Sequence, residues 1–192
     1  MQIGVLALQG DFAEHQAMLE SLGVQVNQVR LPAQLEGLQG LIIPGGESTT
    51  IGKLANAYGL TDALRDFARE HAIWGTCAGA IFLAKDAGKP QPLLGIMDIV
   101  IARNAFGRQL DSFEVDLRIP VLVNPNGENP FYHAVFIRAP LIESIGANVE
   151  SLAHLDGGKI VAARQDKLLA TSFHPELTRD SRFHRYFLEM AK

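Results

Sequence analysis

Ala72, Ile73 and Trp74 form an apolar run that breaks into a glycine turn, Gly75-Thr76-Cys77-Ala78-Gly79, and resumes as Ile81-Phe82-Leu83. A buried strand that hands over to a helix through so short a turn leaves few architectures open. It is the strand–turn–helix of a nucleophile elbow, with cysteine in the nucleophile position. Small neighbours let the backbone turn sharply, and a cysteine at a helix N-terminus meets the positive end of the dipole, which favours its thiolate. Cys77 is the only cysteine in the chain. A lone cysteine is ordinarily a small buried hydrophobe; the flanking glycines and the change of periodicity argue instead for a reactive one. Such a nucleophile needs a base elsewhere in the chain.

The other elements alternate. Residues 3–8 read as a fully buried strand of the parallel-sheet type, and Gln9-Gly10-Asp11 turns the chain. Phe12, His15, Leu19 and Leu22 then recur at helical spacing up to Gly23. Val24, Val26 and Val29 give a second strand, and Leu41 to Ile43 a third, ended by Pro44-Gly45-Gly46. A helix follows Ser48-Thr49-Thr50, and another spans about Thr61 to Glu70. Alternation of this kind implies βαβ units with right-handed crossovers, whose sites form at the carboxyl ends of the strands. Gln9-Gly10, Gly45-Gly46 and Cys77 all fall there. The second half changes character: 96–102, 112–119, 134–137, 149–155, 159–163 and 168–173 are strand-like without intervening helices. Gly157-Gly158 and Asp166-Lys167 have hairpin spacing. Pro120 to Pro130 reads as a polar loop, and a last amphipathic helix runs from about Ser181 to Met190. The expectation is an α/β, flavodoxin-like, three-layer fold over residues 1–192 as one domain, with a mostly parallel central sheet and added antiparallel strands in the C-terminal half.

The base stands at the end of the last strand, in Ser172-Phe173-His174-Pro175-Glu176. If Pro175 keeps this segment extended, His174 and Glu176 project to the same side, and the carboxylate can hold the imidazole tautomer as the third member of a triad does. The remaining histidines (His15, His71, His133, His154 and His184) read as surface or packing residues. Gly46 N–H, with Ala78 N–H just after the nucleophile, supplies an oxyanion hole.

Composition excludes several classes. A net charge of −4 over 192 residues, without a Lys/Arg cluster, argues against nucleic acid or an anionic membrane as partner. One cysteine cannot make an internal disulfide, which fits a reducing compartment. Met1-Gln2 runs into an apolar strand with no basic segment before it, and no apolar run is long enough to span a membrane, so a cytoplasmic location is expected. No His/Cys/Asp/Glu set has metal-ligand spacing, and neither G-x-G-x-x-G nor a P-loop is present; no metal and no cofactor are expected.

Gly75 to Gly79 together with His174-Pro175-Glu176 resembles the class I glutamine amidotransferases, a family with a flavodoxin-like domain and a Cys-His-Glu triad. Leu8-Gln9-Gly10, Pro44 to Thr50, Arg103 to Gln109 with Asp111 to Glu114, and Phe136-Ile137-Arg138-Ala139-Pro140 narrow the resemblance to the glutaminase subunits of pyridoxal 5'-phosphate synthases. It implies that Cys77 attacks the carboxamide of L-glutamine, giving a glutamyl thioester and ammonia. It further implies that His174 passes protons, Glu176 orients it, and Gly46 and Ala78 hold the oxyanion. Gly46, Glu47, Ser48, Arg103, Ile137 and Arg138 match the family's glutamine-binding positions. The implied partner is a (β/α)8-barrel synthase subunit, twelve of each in the complex, which receives the ammonia and switches on the glutaminase by docking near Gln9, Gly10 and the Gly46 loop. Other readings are another cysteine hydrolase or redox-responsive protein on the same fold, and a non-catalytic regulatory module.

Overall fold

The computed structural model describes residues 1–103, 112–122 and 131–192. Residues 104–111, which carry most of one stretch behind the resemblance, and 123–130, most of the predicted polar loop, lie outside the described residues. In chain order the elements are β1 (Gln2–Leu6), α1 (Phe12–Ser21), β2 (Gln25–Val29), β3 (Gly40–Ile43), α2 (Ser48–Ala57), α3 (Leu60–Phe67), β4 (Ala72–Thr76) and α4 (Ala78–Leu83). There follow β5 (Ala84–Asp86), β6 (Met97–Ala102), β7 (Ser112–Arg118), β8 (Phe131–Ile137), β9 (Leu141–Ile145), β10 (Glu150–Leu155), β11 (Lys159–Gln165), β12 (Leu168–Thr171) and α5 (Arg182–Met190).

The main sheet runs β2-β1-β3-β4-β12-β11-β9-β6-β5, with β10 paired to β11. Its first five strands are parallel neighbours, and β2-β1-β3-β4 is the flavodoxin-like order. Successive residues of these strands bury on opposite faces, as strand geometry requires. Leu41, Ile43 and Ile73 pack with Ile51, Leu64 and Phe82 of α2, α3 and α4 on one side. Ile3, Val5, Ile42 and Trp74 pack with Leu19 of α1 and Phe183 and Phe187 of α5 on the other. The continuous apolar runs of the first half follow from this double coverage, and the layering is the three-layer arrangement expected.

The antiparallel strands join at the far side. β11 pairs with β12, β10 and, through Ile160 and Ile142, with β9, while β6 pairs with β9. Two expectations need correction. β7 and β8 do not extend the main sheet; they form their own antiparallel pair, whose Leu117, Tyr132 and Phe136 cover the α1/α5 face. β9 and the short β5 were not expected, because Leu141 to Ile145 has no clean alternation: only Ile142 is buried. The Asp166-Lys167 turn joins Gln165 to Leu168 as predicted, with Asp166 at φ 51°; the other hairpin closes Leu155 on Lys159 through three residues rather than two. Among the described residues no helix is long and apolar enough to cross a membrane.

Candidate active site

Four parallel neighbours, β1, β3, β4 and β12, release their chains at one end of the sheet, and each release delivers part of one pocket. At the end of β4, Cys77 sits at φ 47° and ψ −105°, a region that non-glycine residues enter only when their surroundings enforce it. Its N–H donates to the Thr171 carbonyl of β12 at 2.8 Å. A Cβ on Gly79 would collide with the Ile43 carbonyl of β3, so only glycine lets α4 start this close to the sheet. The elbow is therefore built by three strands together.

At the end of β12, His174 N–H donates to the Val135 carbonyl of β8 at 2.9 Å, and His174 Nδ1 lies 2.7 Å from Glu176 Oε1. The pairing expected from sequence is present, but not by the expected route. Pro175 to Leu177 forms a short 3-10 turn, so turn curvature rather than extended alternation brings the carboxylate onto the ring. Burial pushes the His174 imidazole down; hydrogen bonding to the Cys77 side chain and to Glu176 outweighs it and raises its pKa to about 10. Burial also pushes the Glu176 carboxyl up, while the hydrogen bond with His174 works in the opposite direction. A positively charged His174 with its Nδ1–H on Glu176 leaves Nε2–H as a donor towards the Cys77 side chain.

At the end of β3, Gly46 takes φ 147°, and a Cβ there would meet Gln9 Oε1 and the Gly10 Cα. The loop after β1 is tied to it: the Gln9 side-chain oxygen accepts from Glu47 N–H at 2.7 Å, and the Gly45 carbonyl accepts from Asp11 N–H at 3.1 Å. Glu47 caps α2, accepting from the N–H groups of Thr49 and Thr50 at 3.1 and 2.7 Å. Partial burial opposes its charge, but the hydrogen bonds from Thr50 and Thr49 win and hold its pKa at about 2. Arg103 reaches this carboxylate at 3.1 Å, and also Thr49 Oγ1 and Gln91 Oε1; Gln91 Oε1 in turn accepts from Ser48.

These pieces enclose an open cavity of about 360 Å3, lined by Gly46, Glu47, Ser48, Cys77, Ala78, Arg103, Ile137, Arg138 and His174 among others. Every residue assigned from sequence lines it except Glu176, which stands behind His174. Ile137 and Arg138 arrive from the end of β8, Arg138 at φ 45°. The volume is at the small end of ligand pockets, roughly 300–1,000 Å3, and suits a small polar molecule. Asp11, Ile81, Pro140 and Leu177 also line it and were not anticipated. Asp11 Oδ2 comes within 3.6 Å of His174 Nδ1, so Asp11, His174 and Glu176 gather in a group of metal-ligating type. The His174 nitrogen in that group is already committed to Glu176.

His15 and His184 are buried, as packing residues would be, but they are not merely packing. His15 Nε2 lies 3.3 Å from Glu176 Oε2, and His15 Nδ1 lies 3.0 Å from His184 Nε2. The available signal was a polar residue on an apolar helix face, His15 between Phe12 and Leu19.

Comparison with known proteins agrees in sequence and in structure. Residues 5–192 match the family model described as SNO glutamine amidotransferase family. The chain is 61% identical to a pyridoxal 5'-phosphate synthase subunit PdxT of Herpetosiphon aurantiacus, covering 98% of this chain and 99% of the relative. It is 57% identical to the protein of the same description from Roseiflexus sp., covering 99% of this chain and 100% of that one. A crystal structure described as a glutamine amidotransferase superposes with a TM-score of 0.91 at 54% identity, covering 98% of each chain.

Proposed function

This chain belongs to the SNO glutamine amidotransferase family, and from that premise we propose that it is the glutaminase subunit of a pyridoxal 5'-phosphate synthase. It hydrolyses L-glutamine to L-glutamate and ammonia and passes the ammonia to a (β/α)8-barrel synthase subunit, twelve of each forming the complex in the cytoplasm. The observation that carries the reading is the meeting of a strained Cys77 with His174 in one pocket, His174 being held by Glu176 at 2.7 Å.

The chemistry follows from the placement. Cys77 Sγ attacks the carboxamide carbon and its proton resides on His174. The carbonyl oxygen becomes an oxyanion, stabilised by the Gly46 and Ala78 N–H groups. Collapse breaks the C–N bond; His174 gives its proton to the leaving nitrogen, and ammonia departs, leaving a thioester on Cys77. Water then attacks the thioester with His174 as base, and glutamate and the free thiol are restored. A histidine pushed up to about 10 is charged at neutral pH, which suits it to protonate the leaving group. Glu47, Ser48, Ile137 and Arg138 shape the glutamine site, and Arg103, oriented by Glu47, faces the substrate carboxylate.

An electrophilic glutamine analogue, such as its diazo ketone, tests this reading. Mixed with the chain and the synthase subunit, it should add one equivalent to Cys77, detected by mass spectrometry of the peptide, and free glutamine should protect. Absence of labelling with the partner present would overturn the assignment.

A further inference from the structure

The triad's carboxylate has a second oxygen that the reaction does not use. Glu176 Oε1 pairs with His174 Nδ1, but Oε2 lies in the interior, with the side chain wholly buried. Among the described residues no well-aligned donor reaches it, and the polar group set against it is His15 Nε2, at 3.3 Å. His15 comes from the inner face of α1 and is itself fully buried. Its Nε2 is also 3.2 Å from Thr76 Oγ1, on the residue before the nucleophile. Its Nδ1 meets His184 Nε2 of α5, and both rings stand edge-on to Trp74.

Burial holds both imidazoles well below their ordinary range, so each carries one N–H and two arrangements are open. In one, His184 Nε2–H donates to His15 Nδ1, and His15 Nε2–H points at Glu176 Oε2 and Thr76 Oγ1. His184 Nδ1 is then short of a partner, and it is an acceptor; Glu176 Oε2 has the His15 N–H set against it at 3.3 Å, outside good hydrogen-bond alignment. In the other, His15 Nδ1–H donates to His184, a nitrogen lone pair faces a buried carboxylate oxygen, and an N–H of His184 is stranded. A lone pair set against a buried carboxylate oxygen and an orphaned donor are the more costly defects, so the first arrangement prevails.

The geometry points to His15 as a positioning residue: its Nε2–H, its tautomer fixed by His184, anchors the second oxygen of Glu176 and so sets the carboxylate plane that orients His174. The terminal torsion of a glutamate is broad, and one hydrogen bond leaves the plane free to rock; an N–H set 3.3 Å from the other oxygen restrains it electrostatically. The role concerns the catalytic step and rests on the glutaminase reading for its kinetics, though not for its tautomer.

Two measurements test it. Nitrogen-15 NMR of the histidine side chains in the wild-type chain should show His15 as the Nε2–H tautomer; the Nδ1–H tautomer would overturn the proposal. With the synthase subunit present, His15→Leu should lower kcat for glutamine about tenfold or more while KM stays within about twofold, and His15→Gln, which restores a donor near Nε2, should recover most of it. A His15→Leu kcat within about twofold of wild type, or a His15→Gln no better than His15→Leu, would overturn it. Should the wild-type mixture release no ammonia at all, the functional reading fails, and the tautomer still decides where the His15 proton lies.

Discussion

Cys77 is held in an unfavourable backbone conformation by its neighbours, which on the proposed function serves its chemistry rather than the stability of the fold. Cys77→Ala is expected to abolish ammonia release while shifting the unfolding midpoint little; loss of the fold would mean that the residue serves as core. His174→Asn should lower kcat by several orders of magnitude, as removal of a triad base does, and a near-normal rate would place the base elsewhere. Glu176→Gln keeps the volume but loses the charge beside His174. In that variant the His174 proton should titrate below the value of about 10 in the wild type, read by imidazole NMR; an unchanged titration would show that Glu176 does not govern it. The meeting of Cys77 and His174 in one pocket, with Glu176 on the imidazole, was legible in sequence, because each sits in a short motif with informative spacing. His15 was not, because its function depends on a contact with a residue 161 positions away, and helical periodicity alone cannot distinguish a buried imidazole that packs from one that also bonds.

Elements were legible where local chemistry decides them. The β4 turn into α4 could be read from glycines, and its requirement is now specific: the Ile43 backbone carbonyl fills the space where a Gly79 side chain would stand. Gly79→Ala should destabilise by roughly 1–3 kcal/mol in urea unfolding and disturb the elbow; an unchanged midpoint would contradict the close approach. Glu47 acts at the start of α2. Its folded pKa of about 2 lies below the ordinary 4.5, so its ionised form is the one that stabilises. Relative to Glu47→Gln, the wild type should be more stable above about pH 4.5, and the difference should vanish as the pH falls towards 2. The carboxylate is about half exposed, so the gap should be small and shrink with salt. The same gap at pH 2 and pH 7 would contradict the capping role. β9 escaped the reading because its one buried residue gives no periodicity, and the turn at Pro175 because proline permits both an extended segment and the first turn of a helix.

At the scale of the molecule, parallel neighbours placed side by side bring loops distant in sequence to one end of the sheet. That is why residues near positions 10, 46, 77 and 174 could be assigned to one site before any contact was known. The path of the antiparallel half was less legible: strand-like periodicity tells that β7 and β8 exist, not which sheet they join. Their separate pair carries Ile137 and Arg138 into the pocket, so the pocket wall depends on the less readable half. The most direct test is ammonia release from glutamine by the wild-type chain and by Cys77→Ala, each with and without the synthase subunit. The account predicts rapid release only from the wild type with its partner. Equal release from Cys77→Ala, or none from the wild type under either condition, would contradict it.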